Sequence, residues 1–234
     1  MISISYTQVS QYLACPAREM YYLQGVKTPK SAPMVYGSIF HKAIASHFSG
    51  KPISATQLIK PYLAGDVPSE KGWDDTIEFG PKDWPVDVMM PWIDNAVVLI
   101  AQTGTPQAHE LFLKRDFADF TLSGMVDGLW NGIIIDFKLA GYSYQVDILQ
   151  AACYAILSGG PSQFRFYVVH KEKIPRLEIQ DVPETQDQKY LDWILKRVIA
   201  PTAKAISNNV FPANPSYKWC SKQYCSCWQI CKGE

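Results

Sequence analysis

The chain has 234 residues, 22 Lys and Arg against 22 Asp and Glu, 47% apolar and only 19% charged side chains, the make-up of a globular protein long enough to bury a real core. No run approaches 18 consecutive apolar residues, and the N-terminal MISISYTQVSQYLACP lacks a basic flank leading into an apolar stretch. A membrane span and a secretory signal are therefore not expected, and the chain reads as cytoplasmic. Residues 7–22 carry apolar side chains at helical spacing (Val9, Tyr12, Leu13, Met20) around Cys15-Pro16, which predicts two short helices or one kinked at the proline. A basic, proline-containing loop (VKTPKSAP) leads to a helix near 37–48. Residues 61–84, with Gly, Pro and several acids, read as a variable loop, and 86–102 as another helix.

Three β-favouring runs follow, ELFLKRDF, DFTLSGMVDGLW and IIIDFKL, the last two joined by Asn131-Gly132, a strong signal for a two-residue hairpin turn. A helix over 143–157, the strand QFRFYVVH, a partner strand PRLEIQDV and a long helix over 185–207 complete the pattern. The order predicts an α/β (α+β mixed) fold: a central mixed sheet flanked by helices, as one domain over 1–234. Within it, 1–105 is mainly helical, 106–183 the core, and 184–234 a helix with a cysteine-rich tail.

With Asn131 and Gly132 as the loop, partner numbers across the hairpin sum to 263, which puts Asp127 opposite Asp136 and Lys138 two residues further on the same face. Two carboxylates so placed repel each other and call for a cation between them. Mg²⁺ suits such a pair of hard oxygen ligands, and Lys138 would stand beside it. The plainer reading is a turn-adjacent Asp127 and an ordinary exposed Asp136/Lys138 ion pair.

The GMVDG run, followed nine positions after Asp127 by Asp136-Phe137-Lys138, resembles the active-site hairpin of the PD-(D/E)XK nuclease superfamily, most of all its RecB-type branch. Gly37-Ser38-Ile39-Phe40-His41 and Gln150-Ala151-Ala152-Cys153-Tyr154 match two further motifs of that branch. The resemblance implies a restriction-endonuclease-like core in which His41, Asp127, Asp136 and the backbone carbonyl of Phe137 ligate Mg²⁺ or Mn²⁺. It makes Lys138 the catalytic lysine, with Gln150 and Tyr154 supporting the site or touching DNA. Glu110, Asp116 and Asp119 are further acids that could approach it.

In a reducing compartment six cysteines argue for metal or cluster ligation rather than disulfides. Cys15 in the first helix and Cys220, Cys225 and Cys231 near the C-terminus resemble the ligands of iron-sulfur variants of RecB-type nucleases, with Cys227 as an alternative. The resemblance implies a [4Fe-4S] cluster in the C-terminal tail; zinc also suits four thiolates. Cys153 lies on an apolar stripe and reads as core.

The resemblance implies DNA as substrate and an exonuclease acting on single-stranded or frayed ends, in recombination, repair, phage DNA metabolism or CRISPR adaptation. A non-catalytic DNA-binding or assembly subunit of the same fold and an RNA-processing nuclease are the alternatives. Trp219 and Tyr224 interleave with lysines in a manner suited to stacking bases, although tryptophans there equally suit shielding a cluster. Lys171 and Lys173, in a basic stretch from Arg165 to Arg176, and Arg18 are further candidate DNA contacts.

Overall fold

A computed structural model describes residues 1–26, 28–64, 73–80, 83–141, 144–218, 220–221, 225 and 227–232, with 28–30 and 73–76 described by backbone alone. The chain opens on a short strand, β1 (Ile2–Ser5), then α1 (Tyr6–Ala14) and α2 (Pro16–Leu23). Ser5 starts α1 as one half of a capping box with Gln8, satisfying donors that the first turn leaves open. The predicted kink is present: Cys15 is extended at φ −158°, and Pro16 begins α2, where its missing N–H costs nothing.

Then come β2 (Thr28–Ser31), α3 (Ala32–Phe48), α4 (Ala55–Ala64), β3 (Trp73–Glu78) and α5 (Val86–Ala101). Two expectations are corrected here. The loop predicted before α3 contains β2, and the loop predicted over 61–84 holds the end of α4 and all of β3, which pairs with β2 in parallel. Neither strand alternates apolar and polar residues, and parallel pairing across some forty residues leaves no local signature. Helix α3 also begins at Ala32, with Pro33 tolerated in its first turn.

The main sheet is built from β4 (Ala108–Asp116), β5 (Phe120–Trp130), β6 (Ile133–Ala140), β7 (Phe164–His170) and β8 (Arg176–Asp181), together with β1. It is mixed: β1 and β5 run parallel, as do β6 and β7, and the other pairs are antiparallel. The β5/β6 turn has Asn131 at φ 50° and Gly132 at φ 80°, the two left-handed residues that a type I′ hairpin requires. Helix α6 (Ile148–Leu157) precedes β7. After β8 the expected long helix is segmented into a 3₁₀ turn (Pro183–Gln186), α7 (Gln188–Ile194), a π turn (Leu195–Ile199) and α8 (Ala200–Ser207). Pro201 cannot donate to the turn before it, which accounts for the local widening.

Both faces of the sheet are covered. Ile134, Phe164, Phe166 and Val168 pack with α1, α6, α7 and α8 on one face, and Ile135, Phe137, Tyr167 and Val169 with α3, α4 and α5 on the other. Burial on both sides explains the near-continuous apolar sequence of β6 and β7. No helix among the described residues is long and apolar enough to cross a membrane.

Candidate active site

The site forms where the sheet divides. Strand β4 occupies one edge of β5 from Thr121 to Leu129, so β1 and β6 share the other edge, β1 pairing with Phe120–Ser123 and β6 with Gly128–Trp130. Among the described residues, 124–127 has no strand partner on that second edge. The pleat also inverts there: Val126 packs on the α6 face and Trp130, four residues on, packs on the α3 face, whereas strict alternation would keep them together. Glu110, at φ 49°, is the residue of β4 at the level of Asp127, between the pairs His109/Gly128 and Leu111/Val126. A left-handed glutamate inside a strand is uncommon, and it coincides with the inversion.

The glycines of GMVDG have steric reasons. A Cβ on Gly124 would lie 2.8 Å from Tyr154 Cε1, and one on Gly128 would lie 1.9 Å from the ring of Trp130. At each, an alanine would drive its methyl into an aromatic ring packed against the glycine.

The predicted register is correct for three pairs, Trp130/Ile133, Leu129/Ile134 and Gly128/Ile135, and ends there. Asp127 and Asp136 are therefore not a ladder pair; Asp136 is paired in the backbone with Phe166 of β7. The carboxylate of Asp127 bridges the split instead, its Oδ2 accepting from the Phe137 amide at 2.7 Å and its Oδ1 lying 3.2 Å from His41 Nδ1 on α3. Asp136, 3% exposed, accepts from Gln150 Nε2 at 2.8 Å through Oδ1, while its Oδ2 meets Lys138 Nζ at 2.6 Å. Lys138 Nζ also stands 5.6 Å from the centre of the Phe166 ring. Tyr154, beside Gln150, stacks on Phe164.

Helix α6 is fixed at its start by Asp147, whose carboxylate accepts from the Gln150 amide at 2.9 Å and from the hydroxyl of Tyr6 on α1. This clamp, which sets the direction of Gln150, was not anticipated from sequence, and α6 begins five residues later than expected. Asp147 and Gln150 are nevertheless spaced as an N-cap and its third residue.

Burial and the charge of Asp127 raise the Asp136 carboxyl to about 7, with Lys138 and His41 opposing them. Asp127 is also buried, but His41, the Phe137 amide and Lys138 outweigh that penalty and hold it below the usual carboxylate range. Burial disfavours charge on His41, yet Asp127 and Asp136 more than compensate, and its pKa rises. Two neighbouring acids with opposite shifts are the mark of a cleft built around charge.

His41, Asp127, Asp136, Phe137, Lys138, Gln150 and Tyr154 all line one cleft of about 690 Å³, joined by Glu110, Ser38, Lys42 and Met125. Every residue expected at the catalytic centre is thus brought together. Lys42 had no motif to announce it; its Nζ donates to Tyr62 Oη at 2.9 Å. Asp116 is held by Thr121 and Lys114 away from the cleft, and Asp119 lines a different hollow beside Phe120.

Cys15, Cys220, Cys225, Cys227 and Cys231 line a second, small cavity of about 30 Å³ together with Arg18 and Tyr21, so the chain's two ends meet there. Cys153 is fully buried in the core. Among the described residues no three His, Cys, Asp or Glu side chains are already gathered into a coordination shell. Of the candidate DNA contacts, Arg18 belongs to the cysteine cavity, and Lys171 and Lys173 flank the β7/β8 turn outside the cleft. Trp219 and Tyr224 lie outside the described residues.

A mixed sheet flanked by helices, with two acids and a lysine on two neighbouring strands, defines a restriction-endonuclease-like protein. The chain belongs to the PD-(D/E)XK nuclease superfamily, whose family model matches residues 3–232. The superfamily comprises hydrolases of nucleic acids that generally use divalent metals such as Mg²⁺. Among solved structures the chain is similar to a protein of Eubacterium rectale named "Putative exonuclease", with a TM-score of 0.65 and 15% identity over 97% of this chain and 87% of that one. The crystal structure of SSO0001 overlaps at a TM-score of 0.49 with 13% identity, over 99% and 86% of the two chains. No curated protein matches the sequence.

Proposed function

We propose that the protein is a Mg²⁺- or Mn²⁺-dependent deoxyribonuclease of the RecB-like branch, an exonuclease that acts on single-stranded or frayed DNA ends. The observation that carries this reading is the convergence of Asp127, Asp136, Lys138, His41 and Gln150 on one cleft. The donor set fits a hard cation: Asp136 Oδ2 is a buried oxygen with no hydrogen-bond donor beyond its ion pair with Lys138, and two acids and an imidazole surround it. Asp127, Asp136, His41 and the carbonyl of Phe137 would hold the ion. When bound it would supply Lewis-acid activation of water and neutralise phosphate charge.

The chain's own groups do the rest. Gln150 fixes the orientation of Asp136, the Phe137 amide fixes Asp127, and Lys138 brings a positive charge to the point where the phosphate gains negative charge in the transition state. Linear and circular single-stranded DNA of one sequence test the exonuclease reading. The linear strand is expected to be degraded from its ends and the circle spared; cleavage of the circle contradicts it.

A proton must leave Asp136 before it can ligate a cation, and that proton is held up to about pH 7. His41, whose pKa is also raised, must lose its proton as well, so affinity for Mg²⁺ is expected to rise at least about tenfold per pH unit below 7. The apo protein should change in the opposite sense: a carboxyl whose folded pKa is raised from 3.8 to about 7 stabilises the fold at low pH and loses that contribution as pH rises through 7. Calorimetric titration with Mg²⁺ at pH 6 and pH 8 checks the first point, and a flat profile contradicts it.

The meeting of the cysteines supports a structural [4Fe-4S] cluster held by Cys15, Cys220, Cys225 and Cys231. Cys227 is itself buried in the same cavity and is an equal candidate beside Cys225. Protein purified without oxygen is expected to be brown and to contain iron and acid-labile sulfide in equal amounts; a colourless protein with stoichiometric zinc contradicts the cluster.

A further inference from the structure

The outer face of β4 and β5 carries an apolar pair immediately beside the cleft. Phe112 is 59% exposed and Met125 47%, and the two are directly opposed across the strands, which brings their Cβ atoms to about 5 Å. Met125 lines the cleft with Asp127 and Glu110, and Phe112 continues the same face beyond it. Their inward neighbours Leu111, Leu113 and Val126 already supply this sheet's contribution to the core, so the outward pair is not required for folding.

We propose that Phe112 and Met125 form a platform for one unpaired nucleobase next to the phosphate being cleaved, an inference that rests on the nuclease reading above. The platform is continuous with the cleft and lies about 7 Å along the strand from Asp127, a span that a nucleotide flanking the scissile bond can cover. A ring and a thioether accept any base, since every base has a π face. On β4 the pair is bracketed by Glu110 and by Lys114, which is 57% exposed. The continuity of the pair with the cleft through Met125 favours a nucleic acid strand over another copy of the protein.

The test uses single-stranded DNA oligonucleotides carrying one abasic nucleotide at successive positions, with binding measured on Lys138→Ala protein in Mg²⁺ so that hydrolysis is slow on the time scale of the measurement. At one position the abasic substitution is expected to weaken binding about 5- to 150-fold, the range of one base stacked on an aromatic side chain. Adding Phe112→Ala is expected to abolish that difference, so that intact and abasic strands bind alike, and Phe112→Tyr to preserve it. Met125→Ser should reduce the difference in the same direction.

If Phe112→Ala weakens intact and abasic strands equally, or leaves the difference untouched, the platform is overturned while the nuclease reading stands. Failure of any single strand to bind, together with absence of hydrolysis by the wild type, overturns both. A dimer in sedimentation that Phe112→Ala dissociates assigns the pair to a protein interface and overturns the platform.

Discussion

Lys138→Ala is expected to slow phosphodiester hydrolysis by about 10²- to 10³-fold while the protein still folds and still binds nucleic acid. Its Nζ is the cation nearest Asp136, 2.6 Å from Oδ2, and it reaches the cleft from the same strand. Removing it takes a positive charge from the transition state. It also leaves Asp136 buried without its counter-ion, which raises a carboxyl already at about 7, so the group takes up a proton instead of unfolding the site. The melting temperature should therefore stay within about 4 °C of the wild type, the effect of about 1 kcal/mol in a chain of this size. Lys138→Met, which keeps the apolar stem, should be equally inactive; full activity in either variant contradicts the role given to the charge.

Gly128→Ala is expected to have the largest effect on stability of any single added methyl. The new Cβ would stand 1.9 Å from an atom of the Trp130 ring. That ring cannot swing aside, because it is 6% exposed and packed against Phe48, Phe137 and Tyr167. Overpacking of this kind costs about 3 kcal/mol, or roughly 6–12 °C in melting temperature. Gly37→Ala is the contrast: it lies inside α3 where an added methyl meets open space, and it should gain about 0.5–1 kcal/mol. Thermal melts of the two variants, monitored by circular dichroism, check both signs.

The β5/β6 hairpin was legible because its signals are local. Asn131-Gly132 sets a two-residue turn, and the turn sets the register as far as Gly128/Ile135, which brings Asp127 and Asp136 to the same end of the hairpin although they are not a ladder pair. His41, Gln150 and Tyr154 came only with the family motifs, since nothing in their own surroundings says which strand they will face. The split between β1 and β6 escaped because it depends on β1, four residues whose partner lies more than a hundred positions away. The same distance hid the pairing of β2 with β3. Asp147 and Gln150 carry the capping signal for the start of α6, but apolar residues at helical spacing, Tyr144 and Val146, precede it and extend the apparent helix. The cysteines were legible as a set, whereas the cavity does not separate Cys225 from Cys227.

The measurement that bears most directly on the account is hydrolysis of end-labelled single- and double-stranded DNA by anaerobically purified protein with Mg²⁺ or Mn²⁺, run beside Lys138→Ala and a chelated control. Cleavage is expected to need the metal, to favour the single strand and to fall by about 10²- to 10³-fold in the variant. Wild-type protein that binds DNA and leaves it uncut under these conditions would contradict it and make the chain a binding subunit built on a nuclease fold.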